Sequence, residues 1–113
     1  MPLLKNADSA IIPVEKIRDY VLNGQHPVGR NKARVFLSAT GMRRKDFANL
    51  IDQIKHGILV HDAYHYGWHE GRSLFRVDMP VNGPMGSARM RTGWIYEVDS
   101  DVPRLTTAYI IRP

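Results

Sequence analysis

The hydrophobic pattern of the chain changes near its middle from the period of a helix to the two-residue period of a strand. In one segment the apolar residues follow the i, i+3, i+4, i+7, i+11 spacing of a single buried helix face: Phe47, Leu50, Ile51, Ile54 and Ile58. Later, Phe75, Val77 and Met79 alternate with polar residues, as on a strand with one buried side. A helical half followed by a strand half predicts an α+β domain built in layers.

About three helices are expected before the sheet. Pro13 suits the first turn of a helix that runs to about Leu22 and is ended by Asn23-Gly24, with Val14, Ile17 and Val21 facing inward. A second helix is expected to begin near Gly29 or Arg30 and to end at Gly41. The third helix carries the apolar face described above.

The second half predicts an antiparallel sheet of three to four strands. Three of them are expected at Ser73–Met79, Ala88–Val98 and Leu105–Ile111, separated by turn residues at Asn82–Gly86 and Asp99–Asp101. The stretch His61–His69 is expected to be a polar, aromatic loop. Residues 1–113 are treated as one domain with loose ends at about 1–8 and 112–113.

Composition narrows the class of protein. The 113 residues include no cysteine, which excludes disulfides, thiolate catalysis and thiolate metal sites. No apolar run approaches the roughly 20 residues of a membrane span, and the N-terminus is not expected to be a signal peptide. Sixteen lysines and arginines against eleven acidic residues give a net charge of +5, which favours an anionic partner such as a nucleic acid.

The segment His26–Arg34 is the first candidate for chemistry. It places one imidazole and three cations, Arg30, Lys32 and Arg34, at the expected start of a helix. The backbone donors and the dipole of a helix N-terminus favour a phosphate there. His26 is of the residue type that moves protons near neutral pH. The alternative is a solvated basic helix start with a capping histidine.

The strand Ala88–Tyr96 is the second candidate. Alternation places Met90, Thr92, Trp94 and Tyr96 on one face and Arg89, Arg91, Gly93 and Ile95 on the other. Two arginines on one strand face can bind successive phosphate oxygens, and glycine leaves room for a ligand. The alternatives are an edge strand protected by arginine and a Trp94 that belongs to the core.

The last strand and the histidine-rich stretch supply further candidates. Alternation places Leu105, Thr107, Tyr109 and Ile111 on one side of the last strand. The hydroxyls of Thr107 and Tyr109 could bind phosphate, although both residue types are common in any strand.

The histidines of His61–His69 lack the regular helix that an i, i+4 metal pair requires, so no metal site and no cofactor are expected.

A set of residues spread from about Ala7 to Ile111 resembles a known family. The residues that carry the resemblance are Ile12-Pro13, Lys16, Tyr20, Leu22-Asn23, His26-Pro27, Gly29, Lys32-Ala33, Phe36, Val77-Asp78, Gly83-Pro84, Gly86, Arg91–Ile95, Pro103, Leu105, Thr106-Thr107 and Tyr109. They are similar to a small domain of unknown function found at the C-terminal tips of contact-dependent-inhibition and filamentous-haemagglutinin-type bacterial toxins. Those tips in turn resemble the barnase, colicin and RelE-like ribonuclease toxins.

The resemblance implies a toxin that cleaves RNA without a metal and leaves a 2′,3′-cyclic phosphate. Structured tRNA is a reasonable substrate for such a toxin, but nothing in the sequence selects it. His26, Lys32, Arg91, Thr107 and Tyr109 would be catalytic. The expected substrate-binding residues are Arg30, Arg89, Thr92 and Trp94. The expected partners are RNA and a small acidic immunity or antitoxin protein. The place of action would be the bacterial cytoplasm, reached as the tip of a secreted protein or from a free-standing gene.

Two other functions fit the same residues. The domain could be a basic binding module, an antitoxin or immunity partner that holds RNA or an acidic protein without cutting it. It could also be a nuclease toxin that cuts DNA. Since DNA lacks the 2′-hydroxyl, its cleavage usually recruits a divalent metal ion, so metal dependence separates this class from the first.

Overall fold

The helical period of the first half produces a layer of helices on one side of the sheet. The computed structural model describes residues 2–111. The helical elements are a 3₁₀ turn (Ala7–Ser9), α1 (Val14–Lys16) with its direct π-helical continuation (Ile17–Val21), α2 (Arg30–Thr40), a 3₁₀ turn (Arg44–Asp46) and α3 (Phe47–Gly57). Four antiparallel strands follow in the order β1-β2-β3-β4: β1 (Ala63–His69), β2 (Arg72–Gly83), β3 (Gly86–Tyr96) and β4 (Pro103–Ile110). The predicted α+β fold with helices first is confirmed.

The expected helix ends agree well with the structure. Gly41 adopts the left-handed conformation (φ 77°) and donates its N–H to the Leu37 carbonyl, as predicted for the residue that ends α2. Ile17 and Val21 are fully buried, whereas Val14 is exposed, so the expected inner stripe of the first helix is wrong at that position. Among the described residues, no helix is long and apolar enough to cross a membrane.

The inner face of the sheet packs against the helices as the alternation predicts. Val77 and Met79 of β2 and Met90 and Trp94 of β3 are buried with Phe36, Leu50 and Ile54 of the helices in one core. A polar pair lies within this core. The Trp94 indole donates to the Thr92 hydroxyl (2.8 Å), and that hydroxyl donates to the Val77 carbonyl (2.8 Å). Both polar side chains are therefore satisfied although they are fully buried.

A β-bulge in β4 changes which of its residues share a face. Gly93 of β3 pairs with Thr107, but the next residue, Trp94, pairs with Leu105, so Thr106 is the extra residue. Leu105 faces the core with Ala108 and Ile110, whereas Thr107 and Tyr109 face the other side of the sheet. The expectation that Leu105 shares a face with Thr107 and Tyr109 is therefore wrong.

The stretch expected to be a loop forms the edge strand β1. Its residues pair with β2 on both sides of an irregularity between His65 and Gly67, and Tyr66 is the extra residue. The irregularity disrupts the two-residue alternation, which is why the sequence pattern does not indicate a strand here. The turn between β2 and β3 is also shorter than expected, because the two strands continue to Gly83 and from Gly86.

The N-terminal segment is held by both edges of the sheet. Its Pro2 carbonyl accepts the N–H of Ala63 in β1 (2.9 Å), and Leu4 is 4% exposed. Ile11 forms a parallel bridge beside β4: its N–H donates to the Pro103 carbonyl (2.8 Å), and its carbonyl accepts from Leu105 (2.9 Å). The segment expected to be loose is therefore held at Pro2 and Leu4. Met1, Arg112 and Pro113 lie outside the described residues.

Replacing Thr92 by valine tests the buried polar pair. Valine keeps the shape of the side chain but leaves the Trp94 indole N–H without an acceptor, so we expect a loss of about 1–3 kcal/mol in the free energy of unfolding. Urea denaturation measures it. Thr92→Ser keeps the hydroxyl and is the control. Equal stability of the valine and serine variants would contradict this account of the core.

Candidate functional site

The candidate site lies on the face of the sheet opposite the helices, here called the outer face and defined by Arg76, Asp78, Arg91, Thr107 and Tyr109. Strand register brings these residues together. Asp78, Arg91 and Tyr109 form one row across β2, β3 and β4, because Asp78 pairs with Arg91 and Arg91 with Tyr109. Arg76 and Thr107 flank a glycine of β3 in the neighbouring row. The strands therefore assemble cations and hydroxyls from positions far apart in sequence.

A hollow of about 160 Å³ opens between the two rows. Its walls are formed by side chains of all four strands: Tyr66, Arg76, Arg91, Thr107 and Tyr109. Gly93 forms the floor. A Cβ at Gly93 would lie 2.9 Å from the Thr106 hydroxyl oxygen and 3.1 Å from the Thr107 methyl group, closer than side chains normally pack. Glycine is thus required for the space in which a small anionic group could lie.

Arg91 is held in place by a bidentate ion pair with Asp78. Its Nε and one terminal nitrogen donate to the two Asp78 carboxylate oxygens at 2.8 and 3.0 Å. The hydrogen bond from Arg91 lowers the pKa of Asp78, and the same bond, with a further contribution from the Tyr109 hydroxyl, raises the pKa of Arg91. Two of the five guanidinium N–H donors are used in this fork, and three remain for other partners.

Lys32 of α2 reaches the same place from the helical layer. Its ammonium donates to the Thr107 hydroxyl at 2.8 Å and lies 3.5 Å from the Tyr20 hydroxyl. It also lies 5.1 Å from the centre of the Tyr20 ring and 5.6 Å from that of Tyr109. Two hydroxyls and two aromatic rings therefore position the ammonium, and its third N–H is available to a ligand.

His26 packs against Tyr20, one of the two tyrosines beside the Lys32 ammonium, and the centres of the two rings are 5.0 Å apart. Its Nδ1 accepts the backbone N–H groups of Val28 (3.0 Å) and Gly29 (2.9 Å). An imidazole nitrogen that accepts two hydrogen bonds carries no proton, so the proton of the neutral ring is on Nε2. In this arrangement His26 shapes the turn that precedes α2 and presents an N–H donor.

The structure does not bring the predicted substrate-binding residues to one place. Thr92 and Trp94 are fully buried on the helix side, so the prediction that they contact substrate is wrong. Arg30 is exposed in a separate groove lined by Leu22 and Arg43. Arg89 lies on the outer face and lines a second hollow beside the first.

The histidine-rich stretch does not gather metal ligands. In β1 the ring of His65 packs against Trp68 and Phe75, with ring centres 4.9 Å apart in both cases. Within residues 2–111, no three His, Asp or Glu side chains lie close enough together to hold a metal ion. The aromatic contacts therefore give a packing role to His65, one of the three histidines in the stretch.

Four residues that line the hollow or contact Lys32 and Arg91 are not among the predicted site residues: Tyr20, Tyr66, Arg76 and Asp78. The alternation of β2 already places Arg76 and Asp78 opposite its buried residues, and this signal could have identified them. Tyr66 lies at an irregularity in a strand that the pattern does not indicate. Tyr20 lies in the π-helical segment, where the ordinary helical spacing does not apply.

Comparison with known proteins identifies the family. The model of a family described as a domain of unknown function, DUF6883, matches residues 3–112. The chain belongs to this family. No curated protein and no solved structure matches the chain. The DUF6883 match spans every element of the fold, including Lys32 of α2 and the residues of the outer face.

Removing the Asp78 carboxylate should destabilise the protein in a pH-dependent way. Because Arg91 lowers the pKa of Asp78 below its unfolded value of about 3.9, the stabilisation is present above that pH and is lost as the pH falls through the lower folded pKa. At pH 7 we expect Asp78→Asn to cost about 1 kcal/mol, since the pair is partly exposed. Melting temperatures at pH 7 and pH 3 measure this effect.

The matched control is Asp52→Asn, which removes an exposed carboxylate on α3. We expect this variant to melt close to the wild type at both pH values. A deficit of Asp78→Asn that is equally large at pH 3 and pH 7 would contradict the ion-pair account.

Proposed function

We propose that this domain is a metal-independent ribonuclease of the bacterial toxin type, which cleaves RNA to a 2′,3′-cyclic phosphate. The observation that carries the proposal is the hollow above Gly93, which Arg91, Thr107 and Tyr109 line, together with the Lys32 ammonium that donates to the Thr107 hydroxyl. Cations held in place before the substrate arrives stabilise the charge of a pentacoordinate phosphorane without reorganisation. The net charge of +5 supports a polyanionic substrate.

In the proposed reaction the RNA supplies its own nucleophile. The 2′-oxygen forms a bond to phosphorus, and the bond from phosphorus to the 5′-oxygen breaks. Tyr109 can accept the 2′-hydroxyl proton while it passes its own proton to a phosphate oxygen, since a phenol is both donor and acceptor. That proton then goes to the 5′-oxygen, so atoms and charges balance. Lys32 and Arg91 bind the non-bridging phosphate oxygens, and Thr107 holds the Lys32 ammonium.

His26 takes a different part in this scheme from the one first expected. To act as a base through Nε2, the ring would have to move its proton to Nδ1, which would break the hydrogen bonds from Val28 and Gly29. We therefore assign His26 as a positioning residue, which shapes the start of α2 and packs against Tyr20. Through these contacts it keeps Lys32 beside Thr107.

The toxin assignment rests on the resemblance to toxin tips. The same outer face would then be the surface that an acidic immunity or antitoxin protein covers, because its arginines attract carboxylates as well as phosphates. The domain would act in the bacterial cytoplasm, where RNA is present. Delivery would be as the tip of a secreted protein or by expression from a gene beside its partner.

A second candidate function is favoured by one observation. Arg91 is already paired with Asp78, and the Nδ1 of His26 is already occupied, so both groups serve structural purposes in the free protein. A module that binds RNA or an acidic protein without cutting it would use the same surface in this form. Cleavage assays separate the two functions.

Lys32→Gln and Tyr109→Phe test the proposed chemistry. The purified chain, incubated with total cellular RNA in EDTA, is expected to produce discrete fragments that end in a cyclic phosphate. Loss of the Lys32 charge should lower the cleavage rate by about 10²–10³-fold. Loss of the Tyr109 hydroxyl should lower it by about 10²-fold or more.

Lys45→Gln removes an exposed lysine outside the cluster and should cleave like the wild type. Intact RNA after incubation with folded wild-type protein would reject the ribonuclease and favour the binding module. Cleavage that appears only after a divalent metal is added would favour the metal-dependent nuclease.

His26→Ala and His26→Asn separate positioning from proton transfer. An asparagine oxygen can accept the same backbone N–H groups two and three residues further on, whereas alanine cannot. If His26 only positions the turn, His26→Asn should regain most of the cleavage rate and thermal stability that His26→Ala loses. Equal loss of at least about 10²-fold in both variants, with wild-type stability in His26→Asn, would assign proton transfer to His26.

A further inference from the structure

We propose that the outer face contains a second phosphate subsite, so that the ligand is a single-stranded RNA segment with at least two consecutive phosphates. This inference rests on the proposed function and names its substrate class. The second hollow, of about 310 Å³, lies beside the first and is lined by His61, Asp62, Tyr64, Arg76, Asp78 and Arg89. Arg76 lines both hollows and joins them into one cationic track.

The charges of the second hollow favour an anion. Within residues 2–111, no carboxylate lies within ion-pair distance of Arg76 or Arg89. The carboxylate between them, Asp78, is occupied by Arg91. The hydrogen bond from Arg91 is the main cause of the lowered pKa of Asp78, and the positive charges of Arg89 and Arg76 lower it further. The remaining acid, Asp62, is exposed to solvent.

The spacing along β3 fits a polynucleotide backbone. Arg89 and Arg91 are two residues apart on one face of the strand, a separation of about 6.7 Å between their Cα atoms. Arg76 lies on the adjacent strand, directly opposite Gly93. Neighbouring cations at this spacing can each bind a phosphate of a single strand.

Two exposed tyrosines favour a single strand over a duplex. Tyr64 and Tyr66 are 56% and 51% exposed and lie beside the second and first hollow respectively. The Arg76 guanidinium lies over the Tyr64 ring, 4.8 Å from its centre, which restricts the arginine to the boundary between the hollows. Unstacked bases can pack on exposed aromatic rings, and the bases of a duplex cannot.

The salt dependence of binding tests the second subsite without cleavage. The ligand is a fluorescein-labelled single-stranded 2′-O-methyl oligoribonucleotide, which lacks the nucleophile. Each phosphate contact contributes about −0.7 to the slope of log Kobs against log salt concentration. We expect Arg89→Gln and Arg76→Gln each to make the slope shallower by about 0.7. Arg34→Gln, the same change at an exposed residue in the groove beside Arg43, should leave the slope unchanged.

A length series on the wild-type protein needs no variant and gives an independent answer. Competition by unlabelled 2′-O-methyl oligonucleotides without terminal phosphates should strengthen clearly from one phosphate to two, and a duplex of the same sequence should compete more weakly. Equal competition by one and two phosphates, or an unchanged slope in Arg89→Gln, would overturn the second subsite. RNA that is bound with these slopes but not cleaved would reject the ribonuclease and retain the subsite.

Discussion

The extra residue at Thr106 is the constraint on which the outer face depends. Without the bulge, the residues of β4 beyond Leu105 would alternate in the opposite phase, and Thr107 and Tyr109 would point into the core. With it, Ala108 and Ile110 close the core, while the two hydroxyl residues stand opposite Gly93 and Arg91. The Thr107 hydroxyl then accepts a hydrogen bond from Lys32 at 2.8 Å, and Thr107 and Tyr109 close one side of the hollow above Gly93. One inserted residue thus places the apolar residues of β4 in the core and its two hydroxyl residues on the outer face.

The sequence pattern predicts those parts of the molecule that repeat regularly. The third helix, the C-terminal glycine of α2 and the alternation of β2 and β3 are set by local spacing, and the structure confirms them. The same spacing rules do not predict the irregular parts of the strands. The bulges at Tyr66 and Thr106 each shift the alternation by one residue, which concealed β1 and reversed the expected face of Leu105.

The candidate site was predictable in its residue types and less so in their arrangement. Strand pairing places Arg91, Thr107 and Tyr109 around one hollow, and Lys32 reaches Thr107 and the Tyr109 ring from α2. The hydrogen bonds of His26 could not be read from the sequence, because they depend on the fold of the turn that follows it. The involvement of Asp78 follows from its register opposite Arg91, which pattern analysis of a single strand does not give. Trp94 illustrates the opposite error, since a residue type suited to base stacking is fully buried here.

The connections of the sheet have a consequence for the order in which the chain can fold. Every strand pairs with its neighbour in sequence, so the three ladders of the meander close short loops and can form early. The bridge from Ile11 to Pro103 and Leu105 spans most of the chain and closes a far longer loop, whose entropy must be overcome before the contact contributes. The backbone groups of Ile11 find their partners only after β4 has been synthesised. The parallel bridge of Ile11 therefore requires β4 to be in place, and a chain that stops before β4 cannot form it.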